Sequence, residues 1–149
     1  MAYGKTHKGK FRPKNPNKYV GNPDNIVFRS GWERQVMKQF DERIDVLQWA
    51  SEELAVRYFS PVDKKVHRYF PDFIIKARQA NGSTKMIMVE VKPYDQTMAP
   101  KKGKRKTSRY LNEVKTYAVN EAKWKAAVEY CEDHGWEFVI MHERNTRFI

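Results

Sequence analysis

Asn81-Gly82 sits between two apolar runs, Arg68 to Ala77 and Lys85 to Lys92, and Pro93 closes the second. Asn-Gly tolerates the positive φ angles of a tight reversal, so it is a strong signal for a turn between paired strands. The second run is rich in Met, Ile and Val, and Pro93 removes the N–H that would extend it. A chain built on this pair needs a sheet with covered faces, and the neighbouring segments supply the covers. Ser30-Gly31-Trp32-Glu33 has the S-x-x-E form of a helix capping box, and Trp32, Val36 and Phe40 recur at helical spacing behind it. Val46 to Trp49 and Leu54 to Phe59 read as strands, with Pro61 to Lys65 as a turn and Arg68 to Ala77 as the returning strand. Thr107 or Ser108 can cap a helix carrying Leu111, Val114 and Ala118. Asn120 can cap a second, with Trp124, Ala127, Val128 and Cys131 on one stripe, and Gly135 is placed as its C-terminal cap. Trp136 to His142 is a final strand. The expected fold is a single α/β domain, a mixed central sheet with helices on both faces.

The 149 residues leave little room for a second domain, and the 40% of hydrophobic residues are enough for a core. No apolar stretch approaches the ~18 residues of a membrane span. The basic N-terminus lacks the apolar segment of a secretory signal. Cys131 is the single cysteine, which excludes an internal disulfide framework and a multi-cysteine zinc site and fits a reducing, cytoplasmic setting.

Charge is segregated. Lys5, Lys8, Lys10, Arg12, Lys14 and Lys18 give residues 1–23 a charge of +6 with no acid. Lys101, Lys102, Lys104, Arg105, Lys106 and Arg109 against Asp95 give residues 93–109 a charge of +5. The remaining 17 basic and 17 acidic residues cancel, so the net +11 resides in two appendages. Residues 1–25 read as a basic arm ahead of a domain at 26–149, with Phe11, Tyr19 and Val20 as its few apolar anchors. Two basic appendages on a neutral domain favour a polyanion, and nucleic acid over a membrane surface, because neither run has an apolar helical face beside it.

Chemistry concentrates around the turn. Pro71-Asp72 lies on one strand and Glu90-Val91-Lys92 ends the next. Residues two apart on a strand share a face, so Glu90 and Lys92 point together, and pairing through the turn brings Asp72 toward Glu90. Two carboxylates beside one ammonium suit a hard divalent cation, Mg²⁺ or Mn²⁺, which lowers the pKa of a bound water and neutralises charge on a phosphate. Lys92 is placed to orient or deprotonate that water, or to stabilise charge on the phosphate. His7, His67, His134 and His142 are scattered, and no P-loop or G-x-S-x-G pattern is present.

Pro71-Asp72 with Glu90-Val91-Lys92 resembles the PD-(D/E)xK signature of the restriction-endonuclease-like nucleases, and Glu33, on a helix ahead of the strands, matches the upstream acid of that core. Lys14-Asn15, Lys18-Tyr19, Gly21-Asn22-Pro23, Arg29 to Glu33, Arg68-Tyr69-Phe70, Asn112-Glu113 to Val119-Asn120 and Lys123 to Ala127 extend the resemblance to the head completion nucleases of T4-like tailed phages. That resemblance spans nearly the whole chain; the endonuclease subunit of heteromeric transposases is similar over the catalytic core alone. It implies Mg²⁺-dependent phosphodiester cleavage of double-stranded DNA at the packaged end or neck of a filling head, in the host cytoplasm or on the virion, beside head, portal or neck proteins. Asp72 and Glu90 would bind the metal with the Val91 carbonyl, Lys92 would serve the water or the scissile phosphate, and Glu33 would orient Lys92 or serve a second metal. The products would carry a 5′-phosphate and a 3′-hydroxyl. The contrasting expectation is a non-catalytic neck protein that grips the DNA end or docks on a head or tail ring. The 94–106 loop matches no family motif.

Overall fold

The computed structural model describes residues 8–101, 103 and 107–144. Lys5, Lys102, Lys104, Arg105 and Lys106 lie outside the described residues.

The chain runs β1 (Gly9–Phe11), β2 (Ile26–Phe28), α1 (Gly31–Glu42), β3 (Val46–Ser51), β4 (Val56–Phe59), β5 (Val66–Tyr69), β6 (Phe73–Arg78), β7 (Thr84–Val91), α2 (Ser108–His134) and β8 (Glu137–Met141). Short 3-10 turns occupy Pro16–Lys18 and Tyr94–Thr97. The central sheet has the order β3-β6-β7-β8. β3, β6 and β7 are antiparallel neighbours, and β8 lies parallel to β7. A parallel pair needs a long crossover, and α2 supplies it. The sheet is therefore mixed, as expected.

Both faces are covered. On one side Val36, Met37 and Phe40 of α1 pack with Trp49, Phe73, Ile75, Ile87 and Val89. Trp49 is the hub: its ring centroid lies 4.7 Å from that of Tyr19, 5.8 Å from Phe11 and 6.3 Å from Phe40. On the other side Ala127 and Cys131 of α2 pack with Met88, and with Val56, Tyr58 and Tyr69 of the β4–β5 ribbon. Burial raises the Cys131 thiol to about 11, so it is an inert packing group.

Local signals fix the ends of the elements. Ser30 Oγ accepts the Glu33 N–H at 3.1 Å, and Thr107 Oγ1 accepts the Tyr110 N–H at 3.1 Å. Gly135 ends α2 at φ +69°, the left-handed conformation that favours glycine. The turn at 79–83 closes through Gln79 N–H to Ser83 O at 2.7 Å, and Asn81 Oδ1 accepts the Ser83 N–H.

Two expectations need revision, and one left open is decided. Of the one or two helices that the sequence allows after Thr107, the structure has one: α2 is continuous for 27 residues and Asn120 is buried in its middle. The run 68–77 is not one strand. Pro71 has no N–H to donate, and the chain divides there: β5 returns along β4, and β6 enters the central sheet. From residue 8 onward, the segment read as an arm is part of the fold. β1 pairs with β2, and a Cβ on Gly9 would meet the Phe28 ring at 2.6 Å, so that approach requires glycine. Phe11 and Tyr19 are in the core. The Lys14 and Asn15 N–H groups bind the buried Asp41 carboxylate, and the Lys18 ammonium donates to the Asp41 and Arg43 carbonyls at 2.9 and 2.8 Å. Lys18 thereby satisfies carbonyls left open at the end of α1, and burial lowers its pKa despite Asp41 and Asp45. Lys8, Lys10 and Arg12 remain exposed.

Candidate active site

The β6–β7 register sets the geometry. Phe73 is paired with Val89, so one step beyond, Asp72 stands across from Glu90. Glu90 points toward α2, with Ile74 and Met88 on the same face, while Val89 and Val91 pack into the α1 side. The sequence reading of side-chain direction therefore holds, but the Glu90 face is not open: Glu90 is only 6% exposed.

Each carboxylate is held by a donor from elsewhere. The Val91 N–H donates to Asp72 Oδ2 at 2.7 Å. Trp124 Nε1, on α2, donates to Glu90 Oε2 at 3.3 Å. The Tyr69 hydroxyl is buried nearby without a hydrogen-bond partner among the described residues. Burial, with Glu90 and Asp72 next to it, pushes that phenol far up. Burial, then the Glu90 charge and a hydrogen bond to it, raise Asp72 well above the usual carboxylate range, against the Val91 N–H. Burial and the facing Glu90 charge together disfavour the ionised form of Asp72.

Glu33 stands at the start of α1, half-buried. Its Oε1 accepts from Ser30 Oγ at 3.4 Å, and its Oε2 receives the Arg29 N–H at 3.5 Å, in place of the Ser30 N–H of a regular capping box. Burial raises its pKa, opposed by the Arg29 N–H and assisted by Glu52. Arg29 Nη1 donates to both Glu52 carboxylate oxygens at 2.5 and 2.6 Å, and its charge also reaches Glu33 and Asp72. The Glu52 N–H donates to the Asp72 carbonyl at 3.2 Å, which ties the end of β3 to the site. Glu52 adopts φ 53°, a conformation uncommon for a residue with a side chain. Lys92 follows directly on the end of β7 and, among the described residues, makes no ion pair with either carboxylate. Its N–H donates to the Met141 carbonyl at 2.9 Å, which anchors its backbone to β8.

Among the described residues no group of three or more His, Cys, Asp and Glu side chains is gathered to hold a metal. The donor set nevertheless fits a hard divalent ion. Two facing carboxylates supply oxygen ligands, and a cation would relieve the repulsion that raises Asp72.

Comparison with known proteins assigns the family. A family model described as the TnsA-like endonuclease N-terminal domain matches residues 44–143, the stretch carrying Asp72, Glu90 and Lys92. The chain belongs to the TnsA-like endonuclease family. Its fold class is restriction-endonuclease-like, as its sequence suggested. This TnsA-like endonuclease is also 35% identical over 153 aligned positions to the head completion nuclease of Enterobacteria phage T4, a match covering 100% of the chain and 97% of that protein. No solved structure matches it.

The remaining basic candidates are dispersed in this endonuclease. Arg109 pairs with Glu113 one turn along α2 at 3.2 Å, and Lys101 is exposed. Asp95, the other acid of the region, lines a cleft of about 730 Å³ between the Tyr94–Thr97 turn and α2, with Asn112, Glu113 and Asn120. Four residues around the carboxylates escaped the sequence reading of the site: Arg29, Glu52, Tyr69 and Trp124. Trp124 was assigned to the core by its helical stripe, and nothing in the stripe marks its indole N–H as a donor to a strand 34 residues away. Arg29 and Tyr69 lie inside the 29–33 and 68–70 segments that carry the sequence resemblance, which is the available signal.

Proposed function

We propose that this endonuclease hydrolyses phosphodiester bonds of double-stranded DNA with Mg²⁺ or Mn²⁺, at the packaged end or neck region, as a nuclease of phage head completion. The observation that carries the reading is the Asp72–Glu90 pair, two facing carboxylates with Lys92 two residues beyond Glu90, just past the end of β7. Asp72, Glu90 and the Val91 carbonyl would hold the ion, which supplies charge neutralisation at the phosphate and a more acidic bound water. The Val91 N–H holds Asp72 and the Trp124 indole holds Glu90, so each presents an oxygen in fixed orientation. Lys92, without an ion pair of its own, remains available to orient the attacking water or to stabilise charge on the phosphate. Glu33 is positioned by Ser30 and Arg29 to orient Lys92 or to serve a second ion. In-line attack on phosphorus breaks the P–O3′ bond, leaving a 3′-hydroxyl and a 5′-phosphate. Exposed Lys8, Lys10, Arg12 and Lys101 and the basic residues of the 94–106 loop contact the DNA backbone. The protein works in the host cytoplasm beside head, portal or neck proteins; among its described residues no helix is long and apolar enough to cross a membrane.

The test is a metal panel on closed circular plasmid DNA. Mg²⁺ or Mn²⁺ should support nicking, EDTA should stop it, and Ca²⁺ should support binding with little turnover because its looser coordination positions water poorly. Full activity in EDTA overturns the two-carboxylate site.

A further inference from the structure

We propose that the outer face of the β4–β5 ribbon is a second contact surface for duplex DNA, built from Arg57, Arg68, Phe59 and Val66. The inference rests on the nuclease reading and adds a surface to it, drawn from the part of the chain whose net charge is zero.

The ribbon alternates strictly. Val56, Tyr58 and Tyr69 turn inward to α2, and Arg57, Phe59, Val66 and Arg68 turn outward. The register sets Arg57 directly opposite Arg68, and Phe59 directly opposite Val66. Like charges facing each other across a strand pair destabilise it. Neither guanidinium has an acid partner among the described residues. The nearest acid of the turn, Asp63, is engaged by His67 at 2.6 Å. The apolar pair beside them is uncovered, Phe59 at 55% and Val66 at 63% exposed, and Phe70 lies 5.7 Å from the Arg68 guanidinium. Lys64 and Lys65 add exposed charge at the tip.

Charge chooses the partner. Arginine is common in protein–protein interfaces, but lysine is depleted there; here Lys64 and Lys65 stand exposed near the two arginines, a cationic cluster suited to a polyanion. Arginine matches phosphate in two-pronged geometry. A two-stranded ribbon fits the major groove, where Phe and other apolar side chains can contact the thymine methyl group. Position agrees: Arg68 precedes Asp72 by four residues, ~13 Å of chain at most. The ribbon therefore lies close along the chain to the carboxylate pair.

The experiment measures affinity for a blunt-ended duplex by fluorescence anisotropy in EDTA across a salt series. It compares the wild-type protein, Arg57→Gln/Arg68→Gln, and Lys38→Gln/Lys125→Gln, which removes two exposed charges from the helices. The ribbon variant should bind more weakly, and its slope of log K against log salt should flatten by ~1.8, ~0.9 for each phosphate contact. The helix variant should keep the wild-type slope, and thermal melting should show both variants folded. A wild-type slope in the ribbon variant, with duplex cleavage by the wild type intact, overturns this surface alone and returns the ribbon to a protein partner. Equal flattening in both double variants also overturns it, since the effect is then general charge. A wild-type protein that neither binds nor cleaves duplex DNA overturns the nuclease reading as well.

Discussion

Asp72→Asn should stabilise the metal-free protein while abolishing cleavage. The side chain keeps its shape, and its carbonyl oxygen still accepts the Val91 N–H that Asp72 Oδ2 receives at 2.7 Å. What disappears is a carboxylate facing Glu90; in its place an amide N–H₂ can donate to Glu90. Two unit charges ~4 Å apart at an effective dielectric constant of ~20 repel by ~4 kcal/mol. A proton retained on Asp72 already relieves part of this, so a net gain of ~1–2 kcal/mol is expected. For a chain of 149 residues the unfolding entropy is ~0.3 kcal/mol per kelvin, and the gain corresponds to a Tm increase of ~3–6 °C. The sign depends on pH. Asp72 has its folded pKa raised by burial and by Glu90, so the folded state keeps a proton that the unfolded state releases above ~3.9. That contribution is fully present below the unfolded pKa and is lost as pH rises through the raised one. The Asn variant lacks this slope, so its advantage should be small near pH 4 and grow toward neutral pH. Differential scanning calorimetry in EDTA over this range measures it. A lower Tm for Asp72→Asn at neutral pH refutes the reasoning, because the carboxylate would then be stabilising in the absence of metal.

Trp124→Phe leaves the Glu90 carboxylate without its indole donor, at a cost of ~1.5–3 kcal/mol for a hydrogen bond to a charged group, or ~5–10 °C in Tm. Its cleavage should fall with DNA affinity unchanged; wild-type cleavage would make Trp124 a packing residue alone. Glu33→Gln can still accept from Ser30 Oγ and should lose less than ~1 kcal/mol of stability. Its cleavage should drop at least about tenfold, ~1.4 kcal/mol of transition-state stabilisation, whereas Ser30→Ala should lower stability by ~1 kcal/mol and spare cleavage. Normal turnover in Glu33→Gln would reduce Glu33 to a helix cap.

Local chemistry was legible where a residue acts on its own neighbourhood. Ser30, Thr107 and Gly135 mark helix ends because capping depends on a few adjacent residues. Asn81-Gly82 set the β6–β7 pairing and with it the meeting of Asp72 and Glu90. What escaped depends on distant partners. Asn120 has the composition of a cap, yet the stripe of Trp124, Ala127 and Cys131 packs on the sheet and carries one helix through it. Phe11 and Tyr19 looked like isolated anchors because Trp49, the residue they enclose, lies 30 or more positions away. Lys18 looked like a phosphate contact because its charge is visible in sequence and the carbonyls of Asp41 and Arg43 that take it are not. The β4–β5 ribbon was hidden by net charge, since Arg57 and Arg68 cancel against acids elsewhere in the chain but not in space.

Cleavage and binding measured side by side on Glu90→Gln and Lys92→Ala separate a catalytic site from a solvated sheet end. Plasmid nicking is followed in Mg²⁺, and duplex affinity is followed by anisotropy in EDTA. Both variants should lose nicking steeply while affinity stays near wild type, because one side chain among many basic groups adds little to phosphate binding. Nicking at the wild-type rate by either variant contradicts the assignment, and moves the search for the acid to Asp95 and Glu113 on the cleft beside α2.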